Sequence, residues 1–201
     1  MNKPSAFSIA LIGNPNVGKT TVFNVLTGSR QTVGNWPGVT VEHKQGRYQF
    51  MGSEIEVIDL PGIYSLTANT LDEKVTRNYI LTSRPDLLVN VVDAANLERN
   101  LYLTVQLLEM KVPVLVVLTM LDIAQQNGIE IDIGHLQNHL GCSVVPLQIY
   151  QKKTEALLRE KILEALWQET FNTADITYDE VVENGLFRLM PDLNALENAL
   201  S

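Results

Sequence analysis

The sequence contains a single cysteine, Cys142, and so has no internal disulfide to make. A scaffold stapled by cystines is excluded, and a reducing compartment fits. Basic residues are scarce beside acidic ones, 15 against 23 for a formal net charge of -8, which argues against a nucleic-acid-binding face. A phosphate site, needing only a few donors, is not excluded. Long apolar runs are missing too. The stretch Val112–Leu118 falls far short of the roughly 18 residues that suggest a membrane span, so no direct membrane insertion of this chain is expected. Residues 1–7 carry neither a basic start nor a long apolar stretch, and no signal peptide is expected. What remains is a 201-residue chain, 45% apolar and 19% charged, with room for one well-packed domain and a small appendage.

Short β-rich runs alternate with longer helical patterns, as in βαβ units around a mostly parallel sheet. Strands are expected at Phe7–Ile12, Val41–Phe50, Ile55–Asp59, Leu87–Asp93, Val114–Thr119 and Val144–Leu147, with helices at Lys19–Thr27, Leu71–Thr82, Leu97–Met110, Ile133–Leu140 and Thr154–Thr170. The runs around Val89 and Val116 are apolar on both faces, as central parallel strands are. The second and third strands should form a hairpin around Met51–Ser53, the one antiparallel pair. The expected fold class is therefore α/β, with a six-stranded, mostly parallel sheet flanked by helices over residues 1–170. Residues 171–201 are acidic and helical in pattern, too short for a core of their own.

Gly13-Asn14-Pro15-Asn16-Val17-Gly18-Lys19-Thr20 follows the first strand and opens the first helix. This is the G-x-x-x-x-G-K-[ST] phosphate loop in its strand–loop–helix context. Its glycines let backbone N–H groups wrap a phosphate, and the helix N-terminus adds positive potential. Lys19 should reach the β- and γ-phosphates, and the Thr20 hydroxyl should ligate Mg²⁺, with Thr21 beside it in the nucleotide-binding set. Asp59-Leu60-Pro61-Gly62 ends the third strand, where the carboxylate can hold Mg²⁺ through water and the Gly62 N–H can meet a γ-phosphate. Thr40, just before a strand, can close over the Mg²⁺ with its hydroxyl. Taken together, these residues read as a Mg-nucleotide site with Lys19, Thr40 and Gly62 nearest the chemistry.

Thr119-Met120-Leu121-Asp122 ends the fifth strand, where GTPases typically carry Asn-x-x-Asp. A carboxylate at Asp122 accepts both the N1 and N2 donors of guanine, which adenine lacks, so GTP and GDP are favoured over ATP. Thr119 replaces an amide with a shorter hydroxyl that cannot donate and accept in the same way. Weaker affinity and faster GDP release are the expected result.

The stretch from Gly28 to Glu42, containing Gly34-Asn35-Trp36-Pro37-Gly38-Val39-Thr40, resembles the first switch of the FeoB ferrous-iron transporter family. Val91-Val92-Asp93-Ala94-Ala95-Asn96-Leu97-Glu98-Arg99-Asn100 is similarly close to that family's fourth-strand segment, and the similarity runs from about Ile9 to Leu147. The resemblance implies a Ras-like P-loop GTPase fold on the cytoplasmic face of the inner membrane, with the protein's own transmembrane iron-permeation domain as partner and homo-oligomers possible. It also implies that residues 171–201 begin a helical, dissociation-inhibitor-like domain. Asn16 matches the loop asparagine of potassium-activated GTPases, and the carbonyls of Gly34 and Trp36 match the loop completing the K⁺ shell. Ile63 stands where Ras-like switches use a water-positioning glutamine, which implies slow turnover with backbone groups near Thr40 orienting the water. The last guanine-contacting loop departs from the family, since Pro146-Leu147 leads into Gln148-Ile149-Tyr150.

Smaller signals have plainer readings. His135 and His139, with Cys142 nearby, have metal-ligand spacing but suit a surface helix as well. Asp72 and Glu73 could meet a metal or partner, yet acidic residues also favour a helix N-terminus. Trp36 could be a contact residue of a mobile loop or part of the core. Two functions compete with a slow GTPase switch: a nucleotide-sensing regulatory module with negligible hydrolysis and rapid GDP exchange, and an ATP-using P-loop enzyme.

Overall fold

The computed structural model describes residues 6–28, 31–148 and 154–168. In chain order the elements are β1 (Ala6–Gly13), α1 (Lys19–Thr27), β2 (Gln31–Asn35), β3 (Glu42–Phe50), β4 (Ser53–Asp59), α2 (Leu71–Ser83), β5 (Leu87–Asp93), α3 (Leu97–Glu109), β6 (Val114–Thr119), α4 (Leu121–Gln126), α5 (Ile133–Leu140), β7 (Ser143–Pro146) and α6 (Thr154–Trp167). A single 3₁₀ turn, Ala94–Asn96, joins β5 to α3. The strands form one seven-stranded sheet in the order β2-β3-β4-β1-β5-β6-β7.

Period-two alternation in β1 sets up the layers. Ile9 and Leu11 pack with Phe23 and Leu26 of α1 and Leu158 and Ile162 of α6 on one face. Ala10 and Ile12 point the other way, into a cluster with Ile80 of α2 and Leu103 and Leu107 of α3. Leu103 and Leu107 lie four apart, on one stripe of their helix. With both faces covered, the central strands are apolar throughout, and β5 and β6 are buried along their whole length.

The sheet holds one strand more than the six expected from the sequence. Gln31–Asn35 pairs antiparallel with β3, which gives two antiparallel pairs in place of one. Every residue of this edge strand is exposed, so no apolar alternation marks it, and the ladder to β3 holds it. The short helix α4 was also not expected. Residues 171–201, assigned to a helical appendage, lie outside the described residues.

β4, β1, β5, β6 and β7 run parallel, with Leu11 opposite Asp59, Gly13 opposite Val91 and Asp93 opposite Thr119. The motifs therefore converge on the carboxyl edge of the sheet, where open α/β folds bind ligands.

Candidate nucleotide-binding site

The phosphate loop is shaped by close approach. A Cβ on Gly13 would lie 2.4 Å from the Val91 carbonyl oxygen of β5, so only glycine lets β1 and β5 meet here. Gly62 is seated against the loop in the same way, since a Cβ there would come within 3.2 Å of the Pro15 backbone. The Ile63 N–H donates to the Gly13 carbonyl at 3.1 Å and completes this junction. No side chain caps the start of α1, so its first N–H groups face outward beside exposed Thr20 and Thr21.

Lys19 and Asp59 form a short ion pair at the centre of the site, with side chains only 12% and 8% exposed. Breaking such a buried pair without replacing a partner strands a charge, whereas an incoming phosphate and cation would give each group a new partner. Asn14 is 3% exposed, and neither polar atom of its amide has a hydrogen-bond partner among the described residues. Buried polar groups are seldom left so, which together with the open helix start suits a site built for a polar ligand. The donor set fits Mg-nucleotide. Lys19 and the loop N–H groups answer the phosphates, while Thr20 and Asp59 offer the hard oxygens Mg²⁺ takes.

Adjoining the loop is a cavity of about 490 Å³ whose lining includes Gly18, Thr21, Thr119, Asp122, Leu147 and Gln148. Met120, at φ 55, turns the chain out of β6 so that Asp122 lies exposed in the first turn of α4. The fully buried Thr119 hydroxyl lies 2.7 Å from the Val17 carbonyl and 3.1 Å from the Val92 carbonyl. The hydroxyl thus ties the end of β6 to the phosphate loop. Its single proton is committed to backbone. Leu147 and Gln148 give the cavity wall its last loop, and the Leu147 N–H is fixed to the Leu118 carbonyl at 2.8 Å.

The segment after Gly62 is densely held. Ile63 is 2% exposed and packed in the core. The Leu66 N–H donates to Gln106 Oε1 of α3 at 2.9 Å, and the Arg99 guanidinium sits 4.3 Å over the Tyr64 ring. The Glu73 carboxylate accepts from Ser65 Oγ and the N–H groups of Asn69 and Thr70, while its own N–H returns to the Thr70 hydroxyl. This is a capping box, and it explains Glu73 as a structural residue. Burial pulls the Glu73 pKa up, but these hydrogen bonds outweigh it and hold the group below the ordinary glutamate value.

Gly34, Trp36 and Thr40 belong to the hairpin of β2 and β3. β2 lies three places from β1 in the sheet, a lateral offset on the order of 14 Å. The Trp36 N–H donates to the Val41 carbonyl at 2.9 Å, and its own carbonyl accepts from the Val39 N–H at 3.2 Å. Exposed Thr40 thus sits in the tip of a β-hairpin, and the Trp36 carbonyl is already engaged. The Trp36 ring packs against His43 and Tyr79, a partnership with no local signal in the sequence. Burial lowers the His43 pKa, against the opposing charge of Glu56. His135 and His139 stack at 4.3 Å on α5, and among the described residues no group of three His, Cys, Asp or Glu could hold a metal. No helix among those residues is long and apolar enough to cross a membrane.

The family described as Ferrous iron transport protein B matches residues 7–162. The Fe(2+) transporter FeoB of Escherichia coli K12 is 58% identical over 144 residues, which make up 70% of this chain and 19% of that protein. The chain thus spans about a fifth of the length of the curated relatives it matches. Among solved structures, the cytosolic domain of the T. maritima FeoB iron transporter in a GDP form aligns with a TM-score of 0.86 at 41% identity, over 96% of this chain and 75% of that one. The FeoB G-domain from Methanococcus jannaschii aligns with a TM-score of 0.72 at 46% identity, over 82% of this chain and the whole of that one.

Proposed function

Because the chain belongs to the Ferrous iron transport protein B family, we propose that it is a guanine-nucleotide switch that binds Mg-GTP, hydrolyses it slowly, and regulates ferrous-iron uptake. The observation that carries this reading is the Lys19–Asp59 pair at an open helix start, beside a cavity that ends in Asp122. In this reading Lys19 neutralises the β- and γ-phosphates. Thr20, Asp59 and Thr40 would hold Mg²⁺, which would supply positive charge to the phosphoryl oxygens. Gly62 offers its N–H to the γ-phosphate, and Asp122 takes the N1 and N2 protons of guanine. Ile63, buried in the core, orients no water, so that task falls to backbone near Thr40 and turnover is slow. Asn16, exposed on the loop, is available to a K⁺ ion, although the Gly34 and Trp36 carbonyls reach it only after the hairpin moves. The partner that reads the nucleotide state is the membrane part of the longer protein, at the cytoplasmic face of the inner membrane, and self-association is part of the same proposal.

Competition between GDP and ADP for fluorescent GDP tests this reading. ADP leaves Asp122 without its donors, so GDP should displace the probe at least tenfold more effectively. Equal displacement overturns guanine selection. Lys19→Ala should abolish tight GTP binding in a folded protein. Faster single-turnover hydrolysis in K⁺ than in Na⁺, lost in Asn16→Ala, supports the potassium role. A second reading, a nucleotide sensor with negligible hydrolysis, is favoured by the burial of Ile63, and the same single-turnover assay separates it from the first. At the base end, where the Thr119 hydroxyl already ties β6 to Val17, Thr119→Asn should tighten GDP binding about fivefold, the factor that one added hydrogen bond of about 1 kcal/mol gives.

A further inference from the structure

Of residues 31–38, only Trp36 is not exposed. The hairpin made by β2 and β3 zips from Gln31 opposite Gly46 to Asn35 opposite Glu42, and its tip closes through the Trp36–Val41 and Val39–Trp36 hydrogen bonds. Trp36 then carries the tip onto the body of the domain. Its ring lies 4.5 Å from the His43 ring of β3 at 60° and 5.2 Å from the Tyr79 ring of α2 at 66°, edge to face. It also packs against the core cluster on the α2 and α3 face. Tilted and edge-to-face pairs at these separations are attractive beyond the area they bury. The seat is imperfect, because the indole N–H is buried with no hydrogen-bond partner among the described residues. An attractive contact carrying such a penalty is suited to being made and broken.

Tyr79 belongs to the helix that follows Gly62, whose first turn is fixed by Glu73. Trp36 therefore joins the hairpin bearing Thr40 to the element that follows the Asp59–Gly62 motif. We propose that the Trp36–Tyr79–His43 stack is a latch that holds the Thr40 hairpin in its open position, and that Tyr79 is a positioning residue setting the open-to-closed equilibrium. Thr40 reaches the phosphate loop only when Trp36 leaves its seat. A ligand that needs the closed form binds more weakly in proportion to the fraction latched, whereas one indifferent to Thr40 does not. This latter half rests on the nucleotide reading above. The latch itself does not.

The chain has two tryptophans, and Trp36 can be followed alone in a Trp167→Phe background. Acrylamide quenching of Trp36 fluorescence is measured first without nucleotide, in Tyr79 protein, Tyr79→Phe, Tyr79→Leu and Tyr79→Ala, each checked for folding by circular dichroism. Shielding should be kept in Tyr79→Phe and lost in Tyr79→Ala and Tyr79→Leu, the latter retaining apolar bulk if the alanine variant fails to fold. Affinities for a non-hydrolysable GTP analogue and for GDP are measured next. Tyr79→Leu should bind the analogue about three- to tenfold more tightly, with GDP affinity unchanged, the range one aromatic pair gives. Quenching that is the same in all variants overturns the latch. Loss of shielding with no shift in nucleotide preference overturns its coupling to Thr40. Failure of any variant to bind guanine nucleotide counts against the functional reading, while the nucleotide-free quenching still decides the latch.

Discussion

Two loops at the carboxyl edge are held in opposite ways. Residues 63–73 are tied at several points, to the phosphate loop through Ile63, to α3 through Leu66 and Tyr64, and to their own helix through Glu73. Residues 31–41 form an exposed strand and tip that meet the domain through the β3 ladder and one tryptophan. The first segment can transmit a small displacement because its neighbours leave it few alternatives. The second can swing because it gives up little by leaving. Local stability follows buried contacts, so the hairpin belongs to the low-stability end of the domain.

The sharpest way to break this comparison is in the core. Ile63→Ala should destabilise the domain by about 2–5 kcal/mol in chemical denaturation, the range for deleting a buried aliphatic side chain. A small loss would mean that the segment is not anchored there. Glu73→Ala removes a capping box and should cost about 1–2 kcal/mol, read in the same titration. The ionised carboxylate is the favoured form in the fold, since its folded pKa lies below the ordinary value. Its contribution is full above the ordinary glutamate value and lost as pH falls through the lower folded one. Comparing Glu73→Gln with the unchanged protein should therefore show a stability gap that narrows on acidification, and a gap that widens would contradict the hydrogen-bonded anion. On the other side, Val33→Ala in the edge strand should change stability by no more than about 0.5 kcal/mol, since Val33 is 58% exposed. A larger loss would show that the hairpin is anchored more firmly than its exposure allows.

The legibility of the molecule divides along the same line. The phosphate loop and the Asp59–Gly62 motif are runs of adjacent residues with obligatory strand and helix neighbours, and both stand where the sequence put them. The capping box was also there to be read, in Thr70-Leu71-Asp72-Glu73, although only a general preference for acidic residues was drawn from it. The edge strand was not legible, because Gln31-Thr32-Val33-Gly34-Asn35 has no buried face to pattern. Nor were contacts made across the fold. Thr119 finds Val17 across 102 positions, and Trp36 finds Tyr79 only because α2 and the hairpin share one side of the sheet. Pairings of that kind are set by tertiary packing, for which a single chain carries no periodic sign.

The ion pair between Lys19 and Asp59 behaves as an internal counter-ion arrangement. Each group is the other's counter-charge inside a largely buried site, so neither stands as an uncompensated charge, a condition that costs about 3–5 kcal/mol when one partner of such a pair is removed. In the reading proposed above, a phosphate would give Lys19, and a cation would give Asp59, a new partner of opposite sign, so the site would stay balanced in charge on binding.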